Sequence, residues 1–141
     1  MTELKLNQSE VAAFLAEVFP QIDGKMTVEA LDPMRARIRY HVTDEDLRPG
    51  GTVSGPAMFT LADCAFYVVT LAMIGREALT VTTNCTINFM RKPAPHDMIA
   101  EARILKLGKT LSVGDVTLFS VGTDAAIAHA SLTYAIPPAR S

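Results

Sequence analysis

Apolar and polar positions follow two rhythms in this chain, and the change comes after Gly75. Before it, the strongest patterns are helical. Residues 8–19 open with Gln8-Ser9-Glu10 and set Val11, Phe14, Leu15 and Val18 on one helical face. Pro20 ends that helix. The stretch 54-SGPAMFTLADCAFYVVTLAMIG-75 is apolar or small at nearly every position, as in a helix buried on most sides. Pro56 suits its first turn, where the N–H has no helical partner anyway, and Ser54 or Gly55 is the cap. Between the helices, residues 25–31 form a short strand candidate and Asp32-Pro33 a turn. In 34-MRARIRYHV-42, Met34, Ala36, Ile38, Tyr40 and Val42 alternate with Arg35, Arg37, Arg39 and His41, which predicts a half-exposed strand with the arginines on its wet face.

After Gly75 the period is two. Leu79, Val81, Thr83, Cys85, Ile87 and Phe89 alternate with Thr80, Thr82, Asn84, Thr86 and Asn88. Further strands are predicted over 98–107, over 110–121 with a bulge at Gly114, and over 125–136, where Ala126, Ala128, Ala130, Leu132, Tyr134 and Ile136 share a side. Short turns join them, which makes neighbours antiparallel. The long helix is the only large apolar partner for such a sheet. The expected architecture is therefore α+β, a curved antiparallel sheet wrapped around a long central helix, its outer face polar or paired with another copy. One domain over 1–141 is expected, with an N-terminal helix in 1–20 and a core in 25–136.

The chain has 141 residues, 49% of them hydrophobic, and a formal net charge of -2. That balance does not suit a nucleic-acid partner. Cys64 and Cys85 lie in apolar runs without metal-ligand spacing, so neither a metal nor a cofactor is expected, and reduced thiols point to the cytoplasm. The first residues carry acids, unlike an export or transit signal. Residues 56–74 approach the length of a membrane span, but Asp63 falls near the middle, where insertion costs roughly 2.5–3.5 kcal/mol. A buried core helix is expected instead, with no membrane partner.

That aspartate is the chemical anomaly of the sequence. Thr60, Asp63, Tyr67 and Thr70 recur at spacings of three, four and three, one polar stripe on an oily cylinder. An ionised carboxylate sealed in apolar surroundings would take up a proton or find partners. The stripe is therefore expected to face water, a ligand or a second subunit. A structural Asp63, satisfied by Thr60, Tyr67 and backbone donors, is the simpler alternative.

Three stretches, 48-RPGGTVSGPAMFTLAD-63, 84-NCTINFMRKP-93 and 108-GKTL-111, resemble the PaaI-type acyl-CoA thioesterases of the hotdog-fold superfamily. The likeness covers roughly residues 25–136. It implies the hotdog fold and hydrolysis of acyl-CoA thioesters without a cofactor. It also implies that Asp63 is the catalytic carboxylate, as general base on water or as nucleophile forming a mixed anhydride, and that the Gly55 N–H polarises the thioester carbonyl. Arg48 stands where relatives carry an Asn or Gln, and Tyr67 where many carry a Ser or Thr that touches the water. The family's His-Gly-Gly entry reads Ser54-Gly55-Pro56 here.

Around this pair, Ser54 and Pro56 at the helix entry, Thr60 on the stripe and Asn84 on the next strand are candidates for substrate contact. Met58, Phe59, Phe66 and Phe89 would line the acyl pocket. Arg91, Lys92 and Lys109, at strand ends, offer cations for the CoA phosphates, although strand-end charges are commonly just solvated. His41, His96 and His129 have no partner spacing and read as structural or surface groups. Cys64 is turned about 100° from Asp63 on a helix and reads as a small core residue.

Eight residues of helix separate Gly55 from Asp63, about 12 Å at 1.5 Å per residue. A base and an oxyanion donor acting on one carbonyl must each lie roughly 3 Å from reacting atoms. One helix does not supply both. Gly55 of one copy must face Asp63 of its twin, which predicts a two-fold homodimer with a site at each seam. The resemblance implies a pair of such dimers. Two further functions fit the pattern: a non-catalytic acyl-CoA-binding module, and an acyl-thioester dehydratase or hydratase. The latter normally pairs a His with its acid, and no His lies on or near the central helix.

Overall fold

The computed structural model describes residues 3–138. Its helix α1 spans Gln8–Val18, and Asn7 caps it by accepting from the Glu10 N–H at 2.9 Å while the Glu10 carboxylate accepts from the Asn7 N–H at 3.0 Å. Val11, Phe14 and Leu15 are buried as their spacing predicts, with Val18 half-buried. Strands β1 (Met26–Asp32) and β2 (Arg35–Tyr40) follow as a hairpin, then the long helix α2 (Gly55–Ile74). Strands β3 (Val81–Phe89), β4 (Met98–Leu107), β5 (Leu111–Ser120) and β6 (Ala126–Ala135) complete the chain.

The six strands form one antiparallel sheet in the order β1-β2-β4-β5-β6-β3. It wraps α2, whose Leu61, Ala65, Phe66, Val69, Leu71 and Ala72 are fully buried among inward residues such as Ile38, Ala100, Val116 and Leu132. This is the predicted helix-in-sheet architecture. Although α2 is apolar and long enough to cross a membrane, most of it is buried within the fold.

On the outer face, Arg37 bridges Glu29 and Glu101, Arg39 pairs with Asp97, and Asp115 holds Arg103 and His129. The arginines of β2 thus lie on the wet face, as alternation predicts. His41 contacts Thr27 and Asp97, a structural placement.

Several details depart from the sequence reading. The bulge expected at Gly114 lies on the facing strand: Ile104 pairs with Gly114 and Lys106 with Val113, leaving Leu105 as the extra residue. Gly114 accommodates the close approach this creates, because a Cβ there would sit 2.0 Å from the Arg103 carbonyl oxygen and 2.6 Å from the Phe66 ring. Thr70 does not continue a stripe toward solvent. It is fully buried, its hydroxyl 3.0 Å from that of Ser112. Phe66, placed by sequence in the acyl pocket, is core, tilted against Tyr134 at 5.5 Å between ring centres. Strand β3 is a sheet edge, exposed over most of its length, with an unpredicted bulge: Thr82 pairs with Tyr134 and Asn84 with Thr133, leaving Thr83 extra.

Candidate active site

Two clefts open along α2, one at its first turn and one around Asp63. The first is built by the loop before the helix. Asp46, buried in that loop, accepts from the Tyr40 hydroxyl at 2.6 Å and the Thr43 N–H at 2.8 Å, and its carbonyl accepts from the Ser54 N–H at 2.7 Å. Burial first, and then the bond to Asp46, push the Tyr40 phenol above its usual range, so it remains a donor. Beyond Asp46 the chain makes a tight turn in which the Arg48 N–H donates to Thr52 and the Gly51 N–H to Arg48, both at 2.9 Å. Gly50 and Gly51 adopt φ of 101° and 80°, conformations that favour glycine.

The loop therefore delivers the helix start rigidly. The Ser54 hydroxyl accepts from the Ala57 N–H at 3.2 Å. Among the described residues no group accepts from the Gly55 N–H. It is an orphan donor at the positive end of the helix dipole. The ring of Phe89 lies over this glycine, 3.5 Å from where a Cβ would stand. Arg48, Gly55, Met58, Phe89, Arg91 and Lys92, all predicted from sequence, line this one cleft of about 380 Å³. Among the described residues Arg48, Arg91 and Lys92 form no ion pair.

Asp63 sits half-buried in the second cleft, of about 300 Å³. Its Oδ1 accepts from the Thr82 hydroxyl and from the Tyr134 hydroxyl, each at 2.7 Å. The Tyr134 hydroxyl also lies 2.8 Å from the Asp63 carbonyl oxygen. Burial, and then the Asp63 charge, hold the Tyr134 phenol well above its ordinary range and keep it a donor. Among the described residues Oδ2 has no hydrogen-bond partner. A carboxylate pinned through one oxygen and open at the other can take a proton or attack a carbon with the open one.

Tyr67 lines the same cleft with its ring, but its hydroxyl donates to the Ala78 carbonyl at 3.0 Å. Cys64 is 4% exposed, and burial followed by the Asp63 charge pushes its thiol up to about 12. It stays a thiol, as the core reading of this residue expects. Thr80 is buried in the cleft wall, its hydroxyl without a partner among the described residues.

Other predicted residues fall outside both clefts. Ser54 serves as the cap, and Pro56 is exposed beside it. Phe59 and Thr60 are partly exposed on α2, and Asn84 is exposed midway along β3. Lys109 lies at the β4–β5 turn, beside Leu111, Ala135 and Val81, at the Thr82 end of the sheet. Arg91 and Lys92 follow Phe89 at the opposite end of β3, seven residues or about 23 Å from Thr82. One protomer does not bring these three cations together.

Sequence reasoning missed Tyr134 and Thr82. Tyr134 was legible as an inward position, but not its partner. Thr82 was hidden, because strict alternation puts Thr83 on the face of Cys85, Ile87 and Phe89. The bulge at Thr83 shifts the register by one and turns Thr82 inward to Asp63.

A thioesterase-superfamily model matches residues 50–127, more than half of the chain. A Silicibacter sp. TM1040 protein provisionally described as a thioesterase is 51% identical, with a TM-score of 0.91 over 97% of this chain and 96% of that one. A point mutant of the phenylacetic acid degradation protein PaaI from Thermus thermophilus shares the fold at 23% identity, with a TM-score of 0.72 over 84% of this chain and 99% of that one. So does a Streptococcus mutans UA159 protein bound to acetyl-CoA, at 22% identity and a TM-score of 0.71 over 82% of this chain and 91% of that one. No curated protein matches the sequence. On its sequence match and its helix-in-sheet architecture, the chain belongs to the thioesterase superfamily and has the hotdog fold.

Proposed function

We propose that this protein hydrolyses acyl-CoA thioesters at two equivalent sites in a two-fold homodimer. Each site joins the Gly55 cleft of one protomer to the Asp63 cleft of the other. The observation that carries the reading is the asymmetry of Asp63, with Oδ1 fixed by Tyr134 and Thr82 and Oδ2 open in a cleft. A buried structural aspartate would have both oxygens filled by protein groups, whereas Oδ2 of this half-buried one is left to water or a ligand.

The exposed edge of β3 offers the means of assembly, since its outward backbone groups are unpaired. Antiparallel self-pairing about an axis near Cys85 and Thr86 sets Thr82 of one strand opposite Phe89 of the partner subunit. Thr82 holds Asp63, and Phe89 covers Gly55. The pairing therefore closes the gap of about 12 Å that separates the two groups along one helix. It also carries Lys109 toward Arg91 of the partner subunit, gathering cations for the CoA phosphates. The acetyl-CoA held by the Streptococcus mutans protein on the same fold supports this ligand class.

In the reaction, Asp63 Oδ2 takes a proton from water as the water oxygen bonds to the thioester carbon. The carbonyl oxygen becomes an oxyanion, met by the orphan N–H of the partner's Gly55. Collapse breaks the carbon–sulfur bond, and the departing sulfur takes the proton, giving free CoA and the acid. Direct attack by Oδ2 to form a mixed anhydride uses the same arrangement.

Mixing inactive chains tests the shared site. Asp63→Asn and Gly55→Val should each abolish most turnover while leaving the fold intact. Refolded together, they should recover up to about a quarter of wild-type activity. Half of random dimers are mixed, and each mixed dimer holds one whole site of two. No recovery from chains shown to mix would refute a site built across the dimer.

A further inference from the structure

The Asp63 cleft has a wall that the catalytic reading does not use. Val18 and Phe19, at the end of α1, line it together with Tyr67, Ala78 and Val81. The 50–127 segment matched by the superfamily model carries Gly55, Asp63, Tyr67 and Thr82, but neither Val18 nor Phe19. The α1 part of the wall lies outside that segment, as does Tyr134.

It is also firmly held. At the start of α1, the Lys5 and Leu6 N–H groups both donate to the Ala72 carbonyl of α2, at 2.8 and 3.2 Å. The helix then buries Val11, Phe14 and Leu15. At its end, the Phe19 N–H donates to Leu15 at 2.8 Å, Pro20 stops the helix, and Ile22 is buried one turn later. Val18 and Phe19 are thus pinned from both sides and form a fixed surface rather than a flap.

The cleft is lined by polar side chains at Asp63, Thr80 and Thr82 and by apolar ones at Val18, Phe19, Ala78 and Val81. Tyr67 lies one turn beyond Asp63 along α2, about 6 Å on, and its hydroxyl is tied to Ala78. A thioester carbon bears sulfur on one side and the acyl chain on the other. With CoA in the Gly55 cleft of one protomer, the acyl chain leaves the carbonyl away from that cleft. It enters the Asp63 cleft of the other protomer and runs toward Tyr67, Ala78 and α1.

We infer that Phe19 sets the upper limit on acyl-chain length, closing the α1 side of the Asp63 cleft so that short unbranched acyl groups fit and long ones meet its ring. This rests on the thioesterase reading for the position of the carbonyl. It also moves the acyl pocket from the Met58 and Phe89 side of α2 to the Tyr67 side.

The test measures binding of acetyl-, hexanoyl-, decanoyl- and palmitoyl-CoA, in an Asp63→Asn background that blocks turnover. Phe19 is compared with Phe19→Ala and Phe19→Trp, and hydrolysis of the same series is measured with Asp63 restored. Phe19→Ala should raise the affinity for decanoyl-CoA relative to hexanoyl-CoA by about tenfold or more, the scale of discrimination that apolar pockets achieve. Phe19→Trp should move the preference the other way. Acetyl-CoA, too short to reach the ring, should bind equally to all three. Length profiles that superimpose would overturn the inference, and so would a uniform loss that includes acetyl-CoA. A shifted binding profile without hydrolysis by any Asp63 form would instead refute the hydrolytic reading and leave the wall in place.

Discussion

The two clefts on α2 are made in opposite ways. The Gly55 cleft uses short stretches, the 48–58 loop and helix start and the 89–93 strand end, and its chemistry is a backbone donor among solvated cations. The Asp63 cleft draws on α1, the middle of α2, the 78–82 segment and β6, and its chemistry is a carboxylate held by two hydroxyls. The first needs the 48–58 turn set against the end of β3, and Arg48, Gly55, Met58, Phe89, Arg91 and Lys92, six of its ten lining residues, were candidates from sequence. The second exists only once four distant segments have packed, and half of its working groups were not foreseen. Neither cleft alone holds both a carboxylate and an orphan backbone N–H.

Substitutions that strike one cleft and spare the other sharpen this contrast. The largest effect is expected at the carboxylate's support. Tyr134→Phe removes a hydrogen bond to a charged group, worth roughly 1.5–3 kcal/mol, and keeps the ring that packs on Phe66 and Tyr67. Turnover should fall about tenfold to a hundredfold, with acyl-CoA binding little changed. If steady-state kinetics showed the loss in KM alone, Tyr134 would be a substrate contact and not a support for Asp63.

A smaller effect belongs to the other cleft. In Gly55→Ala the new methyl meets the Phe89 ring at 3.5 Å, an ordinary contact, so the fold should be intact. The methyl crowds the approach of the carbonyl to the N–H, and kcat/KM should drop on the order of tenfold. Wild-type kinetics from a correctly folded Gly55→Ala protein would remove Gly55 from the oxyanion role.

The smallest change tests packing in the Asp63 cleft without touching its chemistry. Thr80→Val replaces a buried hydroxyl that has no partner among the described residues with an apolar group of similar shape. Urea unfolding should show stability unchanged or raised by about 1 kcal/mol. A clear loss of stability would mean that the Thr80 hydroxyl is satisfied in the assembled protein, most simply at the β3 edge.

Periodicity by itself determined a great deal here. A helix apolar all round, next to strands of period two joined by short turns, has one economical packing, the helix inside the sheet. The distance along α2 from Gly55 to Asp63 was also fixed by sequence, because helical rise is constant, and with it the need for two chains if both groups act. Tertiary structure decided which hydroxyls reach Asp63. A one-residue bulge at Thr83 exchanges the faces of β3 and leaves no mark in the alternation. Packing likewise buried Thr70 and Phe66, set Lys109 and Arg91 at opposite ends of the sheet, and placed Phe19 against a cleft built from residues over forty positions away. The physical reason is the same in each case. Local pattern reports which way a side chain points within its own element, whereas its partners depend on how distant elements register against one another.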